Sequence, residues 1–195
     1  HTRDNAGNTG IAGVTPLAIN AAGTRLQVRI PDLASTGDIQ VVNTGVNGNL
    51  GFNSYSDAIY RNVTLNFAAG GSTAAVRFAD GGLESLDNES WGIDNVLVKQ
   101  GNATVFQDDF ETGAAAGWSQ STTDASAAGV FSRFSGRFNN TSQTLNLSGL
   151  TAGQTYTLSY DLYVLDSWDG LSGPDRLLVS VDGQILSNEA FSNYS

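Results

Sequence analysis

The sequence predicts an all-β protein built as an antiparallel β-sandwich. Along most of the chain, polar and apolar residues alternate with the period of a half-buried strand, as in residues 24–30 (TRLQVRI). Turn-forming residues such as Gly81-Gly82 and Asp182-Gly183 separate these runs. No window carries the apolar stripe of a helix, and the alanine run at 114–116 is too short to form one. We therefore expect about eleven or twelve strands.

The predicted strands fall into a short N-terminal group and a longer main group. The N-terminal group includes 24–30 and 38–43, and it ends in the Asn- and Gly-rich run 43–49, which is predicted to be a loop. Three strands are too few for an independent sandwich, so residues 1–50 are expected to be a partial domain, followed by a second domain at 51–195. The remaining predicted strands are 58–67, 73–79, 93–98, 104–110, 130–138, 143–147, 154–165, 176–181 and 184–191.

Charge and composition exclude several classes of function. Lys and Arg number 9 against 19 Asp and Glu, giving a net charge of -10, so the chain cannot assemble the basic patch that a nucleic-acid partner requires. No apolar run approaches the roughly 18 residues of a membrane-spanning helix. The 40% hydrophobic content is that of a globular protein.

The residue types that most enzymes rely on are scarce. There is no Cys, and the single His is His1, which excludes thiolate nucleophiles, Ser–His–Asp triads and histidine metal clusters. Nothing singles out a carboxylate pair for glycoside hydrolysis. We therefore predict that the protein is not an enzyme. A chain that begins with His and contains no Met is expected to be a mature fragment or a window of a longer polypeptide.

The N-terminal segment resembles a known type of domain. Residues 14–24 (VTPLAINAAGT), 26–31 (LQVRIP) and 36–41 (TGDIQV) are similar to the C-terminal half of an IPT/TIG immunoglobulin-like domain. The resemblance implies a partial immunoglobulin-like sandwich in residues 1–50.

The main segment resembles a calcium-binding jelly roll of the carbohydrate-binding-module type, common in large bacterial surface and adhesin-type proteins. Residues 106–113 (FQDDFETG) with Trp118 resemble the opening strand of such a domain. Residues 161–170 (DLYVLDSWDG), with the stretch that follows, resemble its middle. Residues 89–98 (ESWGIDNVLV) resemble its closing strand.

The order of these stretches is unusual, because the closing strand precedes the opening strand in the chain. Since the first and last strands of such jelly rolls are neighbours, the linker 99–103 would join them as a hairpin spanning 93–110. Two arrangements satisfy this order. Either the jelly roll is circularly permuted within one chain, or its halves belong to successive domains completed by a neighbouring chain or repeat.

The resemblance implies a structural calcium ion where the opening and closing strands meet. Carried over by position, its ligands are Glu111 and Asp94, with Asp109 or Thr112 as additional ligands. Carboxylate and carbonyl oxygens are the ligands that calcium prefers. The alternative is that these acids at strand ends are merely solvated.

A second candidate calcium site comes from the residues themselves. Asp166, Asp169 and Asp175 place three carboxylates within ten residues around two glycines. Like charges this close repel one another unless a cation or hydrogen bonds hold them.

The three tryptophans offer a candidate glycan surface. Trp168 and Trp118 stand in loop-like settings, and a flat indole packs on the apolar face of a sugar ring. Trp168, flanked by Asp166 and Asp169, is the best ligand candidate. The competing interpretation, which applies equally to Trp91, is that tryptophans of a sandwich belong to its core.

These features predict a non-catalytic structural or adhesive repeat segment of a secreted or cell-surface bacterial protein, containing calcium. Its partners would be like subunits or neighbouring repeats, joined head-to-tail by strand addition into filaments. The alternative is a lectin-like carbohydrate-binding module with glycans as partners.

Overall fold

The computed structural model describes residues 50–52, 55–125, 132–170, 172–173 and 175–192, together with the backbone of several strands before residue 50. The chain divides into two compact units, His1–Val41 and Val42–Ser195. No helix occurs in the described residues, and in particular none that could cross a membrane. The described strands are antiparallel, so the prediction of an all-β antiparallel fold is confirmed.

Two small strand pairs are described in the first unit. One pair is β1 (Thr2–Arg3) with β2 (Thr9–Gly10), and the other is β3 (Ala18–Ile19) with β4 (Leu26–Gln27). β4 falls within the strand predicted at 24–30. The strand predicted at 38–43 lies outside the described residues apart from Asn43.

The second unit consists of two antiparallel sheets packed together as a sandwich. Its strands are β5 (Asn43–Gly48), β6 (Asp57–Ala68), β7 (Thr73–Gly81), β8 (Glu89–Gln100), β9 (Ala103–Asp108), β10 (Thr123–Ala125), β11 (Arg133–Phe138), β12 (Ser142–Ser148), β13 (Thr155–Asp166), β14 (Arg176–Val181) and β15 (Gln184–Ala190). Sheet I has the order β10-β11-β8-β13-β6-β5, and β9 pairs with β8 beyond the end of β11. Sheet II has the order β12-β7-β14-β15.

The prediction of a loop at 43–49 is wrong, because β5 occupies most of that run and pairs with β6. An edge strand needs only backbone hydrogen bonds to one neighbour, and a pattern of side chains does not register these. The second unit therefore begins before β5, whereas the sequence placed the boundary near residue 50.

β8 and β9 form the short hairpin that the sequence predicted, with Val96 opposite Asp108 and Gln100 opposite Ala103. β13, which follows the hairpin in the chain, lies in sheet I between β8 and β6, which precedes the hairpin. Strands from before and after the hairpin in the same chain therefore share one sheet.

The main core lies between the two sheets, and alternate residues of the long strands point into it. Even-numbered residues of β13 from Tyr156 to Val164 point into it, opposite Val76 and Phe78 of β7. The other face of sheet I is also covered near the end of β13, where Tyr163 and Leu165 join a smaller cluster that contains Leu50, Phe52, Ile59 and Phe134. The end of β13 is thus buried on both faces.

Gly92 of β8 lets an aromatic side chain cross this second face. Phe134 of β11 extends over Gly92 and stacks on Tyr163, with ring centroids 4.8 Å apart. A Cβ atom at Gly92 would lie 2.3 Å from the Phe134 ring and 2.8 Å from the carbonyl oxygen of Ser135. Any side chain at this position would therefore overpack the site.

Candidate metal centre

Three acidic residues meet where β8 begins, β13 ends and β14 begins. Glu89 is the first residue of β8 and pairs with Asp166, the last residue of β13. Asp169 follows β13, and Asp175 immediately precedes β14. Among the described residues, Glu89, Asp169 and Asp175 are the three acids close enough to share an ion, and we call them the acid cluster.

The acid cluster is compact and mostly buried. One carboxylate oxygen from each residue lies within 4.8 Å of the other two. Glu89 and Asp175 are each 1% exposed, whereas Asp169 is open to solvent. An ion would therefore reach the two buried carboxylates from the side of Asp169.

Backbone donors satisfy only part of this buried charge. Oε2 of Glu89 accepts the N–H of Glu84 at 2.7 Å, and Oδ2 of Asp175 accepts the N–H of Asp169. Oδ1 of Asp175 is buried and has no hydrogen-bond partner among the described residues. A buried, unpaired carboxylate oxygen is costly, and a proton, a cation or a bound water would satisfy it.

The pKa values of the acid cluster also indicate that its negative charge is only partly compensated. The pKa of Glu89 is raised to about 7, mainly by burial and in smaller part by the negative charges of Asp175, Glu84 and Asp169. Burial also raises the pKa of Asp175 above its usual range, with Asp169 and Glu84 adding to the effect. Neither Glu89 nor Asp175 forms an ion pair within the described part of the chain.

The loop backbone comes unusually close to the cluster at Gly173. A Cβ atom built there would lie 2.6 Å from Oδ2 and 2.8 Å from Oδ1 of Asp175, and 2.8 Å from Cβ of Asp169. The absence of a side chain at Gly173 is therefore what allows these two residues to lie where they do.

The structure groups two of the three predicted acids, Asp169 and Asp175, with Glu89 and not with Asp166. Asp166 is fully buried, and its Oδ2 accepts a hydrogen bond from the guanidinium of Arg137 at 3.2 Å. Asp166 is not among the acids whose carboxylate oxygens lie within 4.8 Å of one another. Glu89 takes its place because the β8–β13 register brings residues almost eighty positions apart into the same corner.

The other predicted ligands lie around the β8–β9 hairpin. Asp94 is buried, and its Oδ2 accepts the hydroxyl of Tyr163 at 3.1 Å. Burial raises the pKa of Asp94 to about 6, and the charges of Asp161 and Glu111 add to the shift, which places Glu111 within electrostatic reach. Glu111 itself is exposed, and its Oε1 accepts the N–H of Arg133 at 3.2 Å.

Asp109 and Thr112 lie beside a surface groove rather than in a ring of carboxylates. Oδ1 of Asp109 accepts the N–H of Glu111 at 3.2 Å. Both residues line an open groove of about 510 Å³, together with Asn95 of β8 and Gln107 of β9. The lining combines amide, carboxylate and hydroxyl groups with the apolar residues Val96, Leu97 and Ala115.

The tryptophans are used for packing. Trp168 is fully buried, its indole N–H donates to the carbonyl of Ser90 at 3.0 Å, and Trp91 is fully buried too. Trp118 is half-buried among aromatic rings, 5.4 Å from that of Phe110, and its N–H donates to Asp108 at 2.9 Å. The predicted glycan contact through Trp168 is therefore wrong for this structure, because no face of its ring reaches solvent.

Comparison of the chain with protein-family models, with curated proteins and with solved structures finds no match.

Proposed function

We propose that this chain is a non-catalytic structural module of a secreted or cell-surface bacterial protein, with a role in adhesion or assembly. The observation that carries the proposal is the use of aspartates as internal braces. Asp57 accepts the N–H groups of Leu50 at 2.7 Å and Asp166 at 2.8 Å, and Asp108 holds the N–H of Phe110 and the indole of Trp118. Carboxylates fixed in this way tie separate segments together.

The route to assembly that the fold offers is strand addition to sheet II. β15 ends this sheet, and among the described strands none pairs with its outer edge. Its Ile185 is 58% exposed, the most exposed large apolar side chain of the described residues. An edge strand of this kind is a template for a strand from a second copy or a neighbouring repeat.

Sedimentation velocity over a range of concentrations tests this role. We expect the wild-type chain to self-associate and Ile185→Lys to remain monomeric, because a charge on an edge strand opposes strand addition. Leu86→Lys is the matched control, since Leu86 is 44% exposed but lies between β7 and β8. A wild-type chain that stays monomeric at every concentration would overturn the assembly role.

The groove beside the β8–β9 hairpin favours a second candidate function, glycan binding. Its amide, carboxylate and hydroxyl groups at Asn95, Gln107, Asp109 and Thr112 match the hydroxyl groups of a sugar. This candidate does not depend on a tryptophan platform.

A glycan array with the wild-type chain and Gln107→Ala distinguishes the two functions. Gln107 is exposed on β9, so its truncation leaves the core intact. Binding that is lost in Gln107→Ala but kept in Leu86→Lys supports the glycan-binding module. No binding by the wild-type chain to any glycan argues against it.

A further inference from the structure

We propose that Glu89, Asp169 and Asp175 bind a divalent calcium ion, which clamps the start of β8 to the loop between β13 and β14. This site differs from the one expected at Asp94 and Glu111, and it is independent of the adhesive role.

The donor set fits a hard cation. Three carboxylates offer up to six oxygens, and calcium takes six to eight oxygen ligands at 2.3–2.6 Å, with waters or carbonyls completing the shell. Softer transition metals favour His or Cys ligands, and the acid cluster contains neither.

Proximity of acids alone would not identify a site, because exposed carboxylates often gather without a metal. Here the distinguishing observation is that Asp175 is buried with one carboxylate oxygen that no described residue satisfies. The residue is 1% exposed, and its Oδ1 has no hydrogen-bond partner in the part of the chain that the structure describes. A buried acceptor that nothing in the described chain satisfies is explained by an ion bound between Asp175 and its two acidic neighbours.

The position of the cluster gives the ion a structural effect. Asp169 forms an isolated β-bridge with Ser192, and the carbonyl of Asp175 accepts the N–H of Phe191 at 3.2 Å. An ion held by Asp169 and Asp175 would thus also stabilise the segment that follows β15. Glu89 connects the same ion to sheet I.

The first test is calcium titration of the full chain after chelator treatment, measured by calorimetry and by terbium luminescence, which the buried Trp168 beside Asp169 can sensitise. We expect one site that Asp175→Asn and Glu89→Gln each weaken by about tenfold or more. Glu189→Gln, an exposed residue of β15 with the same change of charge, should bind like wild type.

The second test is thermal stability with and without calcium. At 100 times the Kd, calcium should raise the Tm of wild type by roughly 5–10 °C. Without calcium, Asp175→Asn should be more stable than wild type because the amide relieves repulsion; with calcium it should be less stable. A simple folding defect would make Asp175→Asn less stable than wild type both with and without calcium, so it cannot produce this reversal of the stability order.

Two results would overturn the proposal. One is the absence of calcium and terbium binding to the wild-type chain. The other is binding that survives Asp175→Asn and Glu89→Gln but is lost in Asp94→Asn or Glu111→Gln, which would place the ion at the β8–β9 hairpin instead.

Discussion

Replacing Gly173 with alanine should displace the Asp175 carboxylate without removing any acidic group. The new Cβ would lie 2.6 Å from Oδ2 of Asp175, whereas ordinary contacts begin at 3.4 Å, so the carboxylate must retreat by about 0.8 Å. Calcium–oxygen bonds span a range of only about 0.3 Å. A displacement of this size takes the oxygen out of the coordination shell. The Asp169 side chain, with its Cβ 2.8 Å away, is pushed as well.

We expect Gly173→Ala to lower calcium affinity by about 10- to 100-fold, the usual effect of disturbing residues that position ligands. Calorimetric titration measures the change. Gly71→Ala is the matched control, because an added Cβ there meets nothing within 4 Å, and its affinity should equal that of wild type. If Gly173→Ala binds calcium as tightly as Gly71→Ala, Asp175 is not a ligand in the position described.

Three further predictions concern stability. Gly92→Ala should lower the free energy of unfolding, measured in urea, by about 1–3 kcal/mol because its methyl group overlaps an aromatic ring. Gly81→Ala, with open space around its new methyl group, should unfold like wild type. Equal urea midpoints for the two variants would contradict the packing described. Arg137→Met leaves the buried carboxylate of Asp166 without its cation and should cost about 3–5 kcal/mol, much of which Asp166→Asn in the same chain should restore. Burial raises the pKa of Glu89 from 4.5 to about 7, so the protonated form of Glu89 favours the folded state. This contribution to the free energy of unfolding is complete below pH 4.5 and is lost as the pH rises through 7. Calcium-free wild type should therefore lose Tm between pH 5 and 8 more steeply than Glu89→Gln, and parallel profiles would refute this.

The long strands of the second unit could be predicted because alternation reports a face buried against a second sheet. β13 is the clearest case, since its even residues fill the core from Tyr156 to Val164. Strands whose pairing rests on backbone hydrogen bonds alone carry no such signal. For this reason β5 was predicted to be a loop, and the three-residue β10 was missed.

The candidate site was only partly predictable, because proximity in sequence is not proximity in the fold. Asp169 and Asp175 share one loop, so their spacing identified them. Glu89 joins them only through the strand register, which no local pattern specifies. Asp166 lies at the end of β13 beside the half-buried Arg137 and forms an ion pair with it, which the spacing of the three aspartates does not indicate.

The electrostatics of the acid cluster connect the calcium proposal to the proposed location. In an acidic chain, buried carboxylates need backbone donors, a basic side chain, a proton or a metal ion. Asp57 has backbone donors and Asp166 has Arg137, whereas no described residue forms a hydrogen bond with Oδ1 of Asp175. Extracellular calcium modules have Kd values of about 10⁻⁴–10⁻³ M, whereas cytosolic buffers bind far more tightly, and we expect the acid cluster to be a weak site of the first kind. Such a site fills where calcium is millimolar and stays empty where calcium is scarce. A measured Kd in that range would support a secreted or cell-surface location, whereas a Kd near 10⁻⁸ M would remove this argument for it.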